Sequence, residues 1–489
     1  MTPTTQWNFA GRLVERLGSH SYLIDAAARR TVWPQDVSTR IAAYGASLLS
    51  GGLREGDRIL IGCSLSLPSV FVYLGAMYAG LVVVPVDDRT VRGSTGMLLE
   101  ATGAKAVWTE MGLGRERTVG RSVRCFRGVL ASDSQTEKGM MEPATRSKSD
   151  LAALMATSGS TGVPRFVMVT HGNLIANTEA IIRSQRLFSD ERAMLILPLS
   201  YCFGASVLHT HLYQGGGVVF DRRFMFPDKV LGAIAQFECT TFAGVPTAFH
   251  VLLRRSNIRQ IAMPSLRRFL QAGGAMPSNS IREMREVFPA VDFYVMYGQT
   301  EATARISCME PERWEEKKGS VGRPLDNLTV RIVDDEGNDL PAGRIGELLV
   351  RGPSVCAGYL CDSGKIGDTF ADGWLRTRDL ARQDEEGYLW IEGRKESFVK
   401  MRGIRVSFPE IEAKVLEIPG VYECVARTSS HPEAGEALVL FVVPEQGTTI
   451  AADEVRRHLP AHWAIDSVRI VSELPKTSAG KISLSSLPI

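Results

Sequence analysis

LAALMATSGSTGVPRFVMV, residues 151–169, is an apolar run that breaks into glycines and hydroxyls and then resumes as apolar residues. Short apolar runs bounded by turn chemistry read as buried strands, so the stretch is a loop between two strands. Gly159 and Gly162 permit backbone conformations closed to other residues, which lets several N–H groups converge on one anion. Thr157, Ser158, Ser160 and Thr161 add hydroxyl donors. The loop is not of the Walker type, because no Gly-Lys-Ser/Thr ends it and no helix follows directly. Two readings stand at this point, a phosphate-gripping loop and a polar hairpin turn.

Working outward, Thr170 is a helix cap, and Leu174, Ile175, Ile181 and Ile182 follow at near-helical spacing, so a helix braces the loop from behind. Upstream, Ile59 to Val86 carries no charged residue, which meets a crude transmembrane criterion. Ser66-Leu67-Pro68 reads as a helix start, however, and Gly80 as its end. The run therefore divides into a strand (58–63), a helix (67–79) and a second strand (81–86). This is a βαβ unit in a buried parallel sheet, with no membrane span. The first 150 residues read as scaffold, and the polar segment from Gly112 to Asp150 reads as a surface connection into the loop.

A chain of 489 residues exceeds what one core usually organises, so two or more domains are expected. Charge is nearly balanced, 56 basic against 54 acidic residues, which gives no electrostatic case for nucleic acid or a membrane surface. Eight cysteines lie scattered without a C-x-x-C pair or a signal peptide, as in a cytoplasmic enzyme with reduced thiols. His458 and His462 have the spacing of metal ligands, but Pro460 between them argues against a metal there.

The later chain repeats one pattern, a buried strand ending in small or aromatic residues. It occurs at MLILPLSYCFGASVL (194–208), TTFAGVPT (240–247) and FLQAGGAMP (269–277), placing Tyr201, Phe203 and Gly204 in a turn at a strand's carboxyl end, where ligands bind in open α/β sheets. At FYVMYGQTE (293–301) the strand ends in an aromatic, a glycine, an amide, a hydroxyl and a carboxylate. These can stack on a base, admit close approach, touch phosphate and hold Mg²⁺ through oxygen. With the glycine loop they make an adenine nucleotide the natural ligand.

These residues carry a resemblance. TSGSTGVPR (157–165), QAGGA (271–275), YGQTE (297–301), GSVGRP (319–324), GWLRTRDL (373–380), GRKESFVKMRGIRVSFPEIE (393–412) and PKTSAGKI (475–482) occur in the order found in the adenylate-forming superfamily of acyl-CoA synthetases, aryl-CoA ligases and adenylation domains. The resemblance implies an α/β fold: a large N-terminal domain (1–393) of mostly parallel sheets with a β-rich subdomain, and a small mobile α+β domain (394–489). It implies ATP and Mg²⁺ as cofactors. Thr157, Ser158, Gly159, Ser160, Thr161 and Gly162, with Arg165, would hold the β- and γ-phosphates. Gly273, Gly274, Ala275 and the ring of Tyr297 would enclose the adenine, and Gly298 and Gln299 would also belong to the nucleotide site. Thr300 would contact the α-phosphate, Glu301 would bind Mg²⁺, and Asp379 assisted by Arg394 would receive the ribose hydroxyls. Lys481 would bridge carboxylate and α-phosphate.

By the same resemblance, Glu396 would be the pivot of a hinge at about 394–397. Rotation there would withdraw Lys481 and present Lys400 and Gly403 to a thiol, either coenzyme A or the phosphopantetheine arm of an acyl carrier protein. Ser407 and Glu410, with Pro409, read as the start of a helix burying Ile411, Val415 and Ile418. Tyr201, Phe203, Gly204, Val245, Thr247, Gly298 and Gly322 would line the acyl pocket. Amino-acid-activating relatives place an aspartate where this chain reads Phe203-Gly204, so the acid should lack an α-amino group. Arg165-Phe166 replaces the usual lysine and glycine, Thr377-Arg378-Asp379 replaces Thr-Gly-Asp, and the basic residue that often follows the lysine motif has no counterpart before Ile489. A non-catalytic nucleotide- or acyl-binding relative is the alternative class, and Lys481, Glu301 and Asp379 together argue against it.

Overall fold

The computed structural model describes residues 6–113, 123–130, 141–157, 165–360, 369–394, 398–401, 404–431, 435–445, 447–460, 463, 465–476, 482 and 487. The charge-free run folds as a strand Arg58–Cys63, a helix Leu67–Tyr78 and a strand Val82–Asp87. Ser66 caps the helix by accepting from the Ser69 N–H, and a proline occupies its first turn. The two strands pair in parallel, so the run is apolar because both faces of a sheet and all sides of a helix are covered. The helix Pro34–Ser50 crosses it closely: a methyl on Gly45 would stand 2.7 Å from the Gly75 carbonyl oxygen. Among the described residues no helix is long and apolar enough to cross a membrane.

Three sheets build the bulk of the molecule. A six-stranded sheet contains this βαβ unit and ends in an antiparallel hairpin of Leu151–Thr157 with Arg165–Thr170. The helix His171–Gln185 follows with a capping box between Thr170 and Asn173. Leu174, Ile175 and Ile181 are buried as expected, and Ile182 is half-buried. A nine-stranded sheet is parallel through Asp292–Tyr297, Arg268–Gln271, Thr241–Gly244, Arg192–Leu195, Gly217–Phe220 and Leu23–Asp25, with antiparallel strands at its edges. A five-stranded antiparallel sheet includes Gly346–Arg351, Trp374–Gln383 and Leu389–Arg394. Beyond it, Val421–His431, Gly435–Pro444 and Ser467–Ile470 form a three-stranded sheet packed by the helix Phe408–Val415. Ile411, Val415 and Ile418 are buried there, as the sequence predicts. The Ser407 and Glu410 side chains lie outside the described residues.

The core between the two large sheets contains three buried histidines whose environment excludes charge. Nδ1 of His171 accepts the Phe9 N–H at 3.1 Å, His209 Nε2 meets the Tyr73 hydroxyl at 3.0 Å, and His211 Nδ1 meets the Val207 carbonyl at 2.9 Å. Burial lowers all three, to about 4, about 3 and about 4. The unfolded chain therefore binds protons that the folded chain refuses once pH falls below about 6.5, the ordinary histidine value. Stability is fully present above that pH and is lost as pH falls toward 4, each histidine adding a slope of up to about 1.4 kcal/mol per pH unit. Urea titrations should show a lower midpoint at pH 5 than at pH 7, and His209→Gln should flatten this dependence by about one proton.

Candidate active site

The parallel strands of the nine-stranded sheet deliver the QAGGA (271–275) and YGQTE (297–301) motifs to one edge, their carboxyl ends. After Arg268–Gln271, Gly273 takes φ +89°, and a methyl there would stand 2.4 Å from the Tyr201 hydroxyl and 3.1 Å from Val245 Cγ1. Glycine is required on both counts, and its absent side chain brings Tyr201, Val245 and the Gly273–Ala275 segment together. Gln271, fully buried, donates from Nε2 to the Gly274 carbonyl at 2.9 Å and so fixes this segment. Its Oε1 has no hydrogen-bond partner among the described residues, and neither has the buried Nε2 of half-buried Gln299.

Tyr297 closes its strand and donates its phenol hydroxyl to Asp379 Oδ2. Arg394 Nε lies 2.9 Å from Asp379 Oδ1. The carboxylate therefore has a donor on each oxygen. Burial, followed by the Asp379 charge, pushes the Tyr297 phenol well above its ordinary value and keeps it a donor. Asp379 reaches this place through an irregularity: the register between Gly346–Arg351 and Trp374–Gln383 shifts, and Arg378 takes φ +60°. The residue where a glycine is usual thus occupies the left-handed conformation that glycine adopts without cost.

Thr300–Ala302 forms a single 3₁₀ turn. The Tyr359 hydroxyl donates to Glu301 Oε1 at 2.6 Å, and the Cys356 N–H donates to the Glu301 carbonyl at 2.9 Å. Thr300 Oγ1 lies 3.5 Å from Cys202 Sγ. Thr303 follows at φ 68°, ψ −59°, with the Ala304 N–H bonded to the Ala302 carbonyl. This is a positive-φ γ-turn, a strained conformation for a β-branched residue. Its hydroxyl donates to the Ser354 carbonyl at 2.6 Å, which helps hold it.

Arg165 places its guanidinium 5.2 Å from the Tyr359 ring centroid. The exit of the glycine loop is thereby linked through Tyr359 to Glu301, a cation–π contact that a planar guanidinium makes well. Thr157 pairs with Arg165 across the hairpin. Ser158, Gly159, Ser160, Thr161 and Gly162 lie outside the described residues, as do Glu396, Gly403, Lys481 and the Lys400 side chain. Ile482, next after Lys481, lines a cavity of about 390 Å³ together with Ala275, Thr247 and His250. His250 stands edge-on to Tyr422 at 4.4 Å, and Arg254 lies 3.6 Å from Glu445.

The acyl-pocket expectations need correction in their local structure. The strand Arg192–Leu195 ends before Pro198, Tyr201 closes a turn by donating its N–H to the Pro198 carbonyl at 3.1 Å, and it is also the N-cap of a helix Cys202–Tyr213 that the sequence reading did not give. Phe203 and Gly204 belong to that helix. A methyl on Gly204 would stand 2.3 Å from the Pro198 carbonyl oxygen, so Gly204 lets the helix seat against the preceding chain. Gly322, at φ +85°, packs with equal tightness on the backbone of Cys308, and Thr247 lies in the helix Pro246–Arg255. The roles of Gln271 and Tyr359 escaped the sequence reading. Gln271 stood inside the QAGGA motif without an assigned role, and Tyr359 is 58 residues from its partner Glu301, with no local pattern to join them.

Residues 15–360 match the family described as AMP-binding enzyme, and residues 410–481 match its C-terminal domain. A feruloyl-CoA synthase from an Amycolatopsis species is 31% identical over 464 residues, with 91% of each chain covered. A long-chain-fatty-acid–CoA ligase from Escherichia coli O6:H1 is 29% identical, covering 91% of this chain and 87% of the relative. The crystal structure of ATP-bound MatB from Rhodopseudomonas palustris superposes with a TM-score of 0.86 at 26% identity, covering 98% and 97% of the two chains. The chain belongs to the adenylate-forming superfamily of AMP-binding enzymes.

Proposed function

We propose that this enzyme uses ATP to convert a carboxylic acid to an acyl adenylate with release of pyrophosphate, then transfers the acyl group to the thiol of coenzyme A. The observation that carries the reading is the cleft in which Tyr297, Asp379 and Arg394 stand beside the Thr300–Glu301 turn. The chemistry of the Asp379 carboxylate suits ribose hydroxyls, the amide atoms of Gln271 and Gln299 that have no partner among the described residues suit a base, and the glycine segment admits it. Glu301, oriented by Tyr359, would hold Mg²⁺ together with ligand phosphates. A single carboxylate suffices, because Mg²⁺ in such sites takes one or two carboxylates plus phosphate oxygens.

Two anions must converge for reaction, so the site has to offset charge repulsion where the carboxylate oxygen meets phosphorus. Bound Mg²⁺ supplies Lewis-acid charge neutralisation. The chain's own contributions are the Thr300 hydroxyl at the α-phosphate, the loop 157–162 with Arg165 at the terminal phosphates, and Lys481 between carboxylate and α-phosphate. No general base is required, since the acid is already ionised at neutral pH. The hinge at 394–397, with Glu396 as pivot, would let the segment from 394 onward exchange Lys481 for the Lys400–Gly403 region between the two half-reactions. The acid lacks an α-amino group, because Gly204 offers no counter-charge. Relatives whose names specify ferulate or fatty acids as substrates support this. No disulfide joins any two of the seven described cysteines, which fits a reducing cytoplasm.

Acid-dependent ATP–pyrophosphate exchange across a broad panel of acids is the test, with free coenzyme A and holo carrier protein compared as acceptors. Lys481→Ala should slow adenylation by about 10²-fold, the scale of losing one preorganised donor. Exchange with none of the acids would return the chain to a binding role, and turnover on carrier protein alone would reassign the acceptor.

A further inference from the structure

Arg305 is one of the largest fully buried side chains, 1% exposed, and among the described residues no anion answers its guanidinium. Its backbone is fixed by Asn177, which accepts the Arg305 N–H at 3.2 Å and donates to its carbonyl at 2.9 Å. Nε is buried without a hydrogen-bond partner, and no ion pair to Arg305 occurs among the described residues. Its described company is neutral. Cζ stands 4.8 Å over the Phe203 ring, and the groups that feel its charge are the thiols of Cys308 and Cys202 and the phenol of Tyr201. A ring face answers a cation weakly beside the several kcal/mol that burying an ion costs. The cation also stands near the start of the helix Cys202–Tyr213, whose N-cap Tyr201 makes no side-chain cap and whose dipole adds further positive potential.

The position of this cation is chemically informative. Phe203 and Tyr201 are neighbouring rings, 6.3 Å between centroids, and the Tyr201 hydroxyl closes on Gly273. Thr300 reaches Cys202, and a methyl on Gly298 would touch Arg305 Cα at 2.9 Å. Arg305 therefore sits in the wall between the Tyr201 helix and the Thr300–Glu301 turn, beside the space where the acid must lie if its reacting carboxylate is to meet the α-phosphate. We propose that Arg305 is a specificity residue, its guanidinium receiving a second carboxylate on the substrate, which makes the enzyme a ligase for dicarboxylic acids. The proposal rests on the acid-activating reading above. A planar fork in a dry wall pairs with a carboxylate far better than a flexible ammonium would.

The test compares matched acids, monocarboxylates against dicarboxylates of the same chain length or ring, in pyrophosphate exchange and in thermal-shift binding by wild type, Arg305→Met and Arg305→Lys. Wild type should favour dicarboxylates. Arg305→Met should lose that preference by about 10²-fold while melting no lower than wild type, since exchanging a buried charge for an apolar side chain is often neutral or stabilising. Arg305→Lys should recover part of the preference. Exchange that runs on monocarboxylates, with a ratio unmoved in Arg305→Met, overturns the proposal and leaves the ligase reading intact. A melting temperature lowered by several degrees in Arg305→Met with unchanged acid preference identifies a structural cation and also overturns it. Arg305-dependent binding of dicarboxylates without exchange on any acid supports the subsite and sinks the adenylation reading, and no dicarboxylate binding by wild type defeats the subsite.

Discussion

Gly298→Ala will cripple adenylation, lowering kcat/KM by at least about 10²-fold, although only a methyl group is added. That methyl would stand 1.9 Å from the Ala304 carbonyl oxygen, 2.8 Å from its carbonyl carbon and 2.9 Å from Arg305 Cα. The obstacle is backbone, and this backbone is held on every side. Thr303 is pinned to Ser354 in its γ-turn, Arg305 is clamped by Asn177, and the Ile306 N–H donates to the Tyr297 carbonyl at 2.9 Å. Relief must therefore come from the other side, by displacing Gly298 and with it the Thr300–Glu301 turn. A displacement of about 1 Å in reacting groups costs on the order of 10²-fold in rate, and the overpacking itself costs about 1–3 kcal/mol. Circular dichroism and melting should show a folded but less stable protein, and exchange assays should show the loss. Gly232→Ala is the control, for its methyl meets nothing within 4 Å. A Gly298→Ala enzyme with near-normal rate would mean that the 300–305 turn is far softer than its hydrogen bonds indicate.

The parts of the fold that were legible in sequence are those with local punctuation. The strand at 58–63 and the helix from 67 were bounded by Ser66-Leu67-Pro68 and Gly80, and the structure reproduces them within a residue. Thr170 announced the helix behind the loop by its capping chemistry. The helix Cys202–Tyr213 gave no such signal: Tyr201 makes no side-chain cap, no acidic residue stands in the first turn, and the helix is buried on every side, Ser206, His209, Thr210 and His211 included, so its periodicity is indistinct. The site divides in the same way. Tyr297, Thr300 and Glu301 lie within one motif, whereas Asp379 and Tyr359 meet them from 82 and 58 residues away, by sheet packing that no window of sequence displays. Arg378 shows the limit from the other direction. A glycine-requiring φ is met by arginine, and composition alone cannot reveal a backbone conformation that the residue type disfavours.

Glu301→Gln should lower kcat/KM for adenylation by about 10³-fold, and the reason separates charge from shape. Glutamine keeps an amide oxygen to accept the Tyr359 hydroxyl, which now donates to Glu301 Oε1 at 2.6 Å, and the main chain remains tied to Cys356. The turn therefore survives while the negative charge that would hold Mg²⁺ is removed. Metal stabilisation of the transition state is worth several kcal/mol, and about 4 kcal/mol corresponds to 10³-fold in rate. The Mg²⁺ concentration giving half-maximal exchange should rise in this variant, with the melting temperature near wild type. Tyr359→Phe is the companion measurement. It leaves the carboxylate charged but without its orienting donor, so a smaller loss is expected, about 10-fold, again with a raised Mg²⁺ requirement. A Glu301→Gln enzyme whose Mg²⁺ dependence is unchanged would place the metal on other ligands and reduce Glu301 to a partner of Tyr359. If both variants shift the Mg²⁺ dependence in the expected order, the contact from Arg165 through Tyr359 to Glu301 acquires a function. It would then tie the loop proposed to grip the phosphates to the carboxylate proposed to hold their counter-ion.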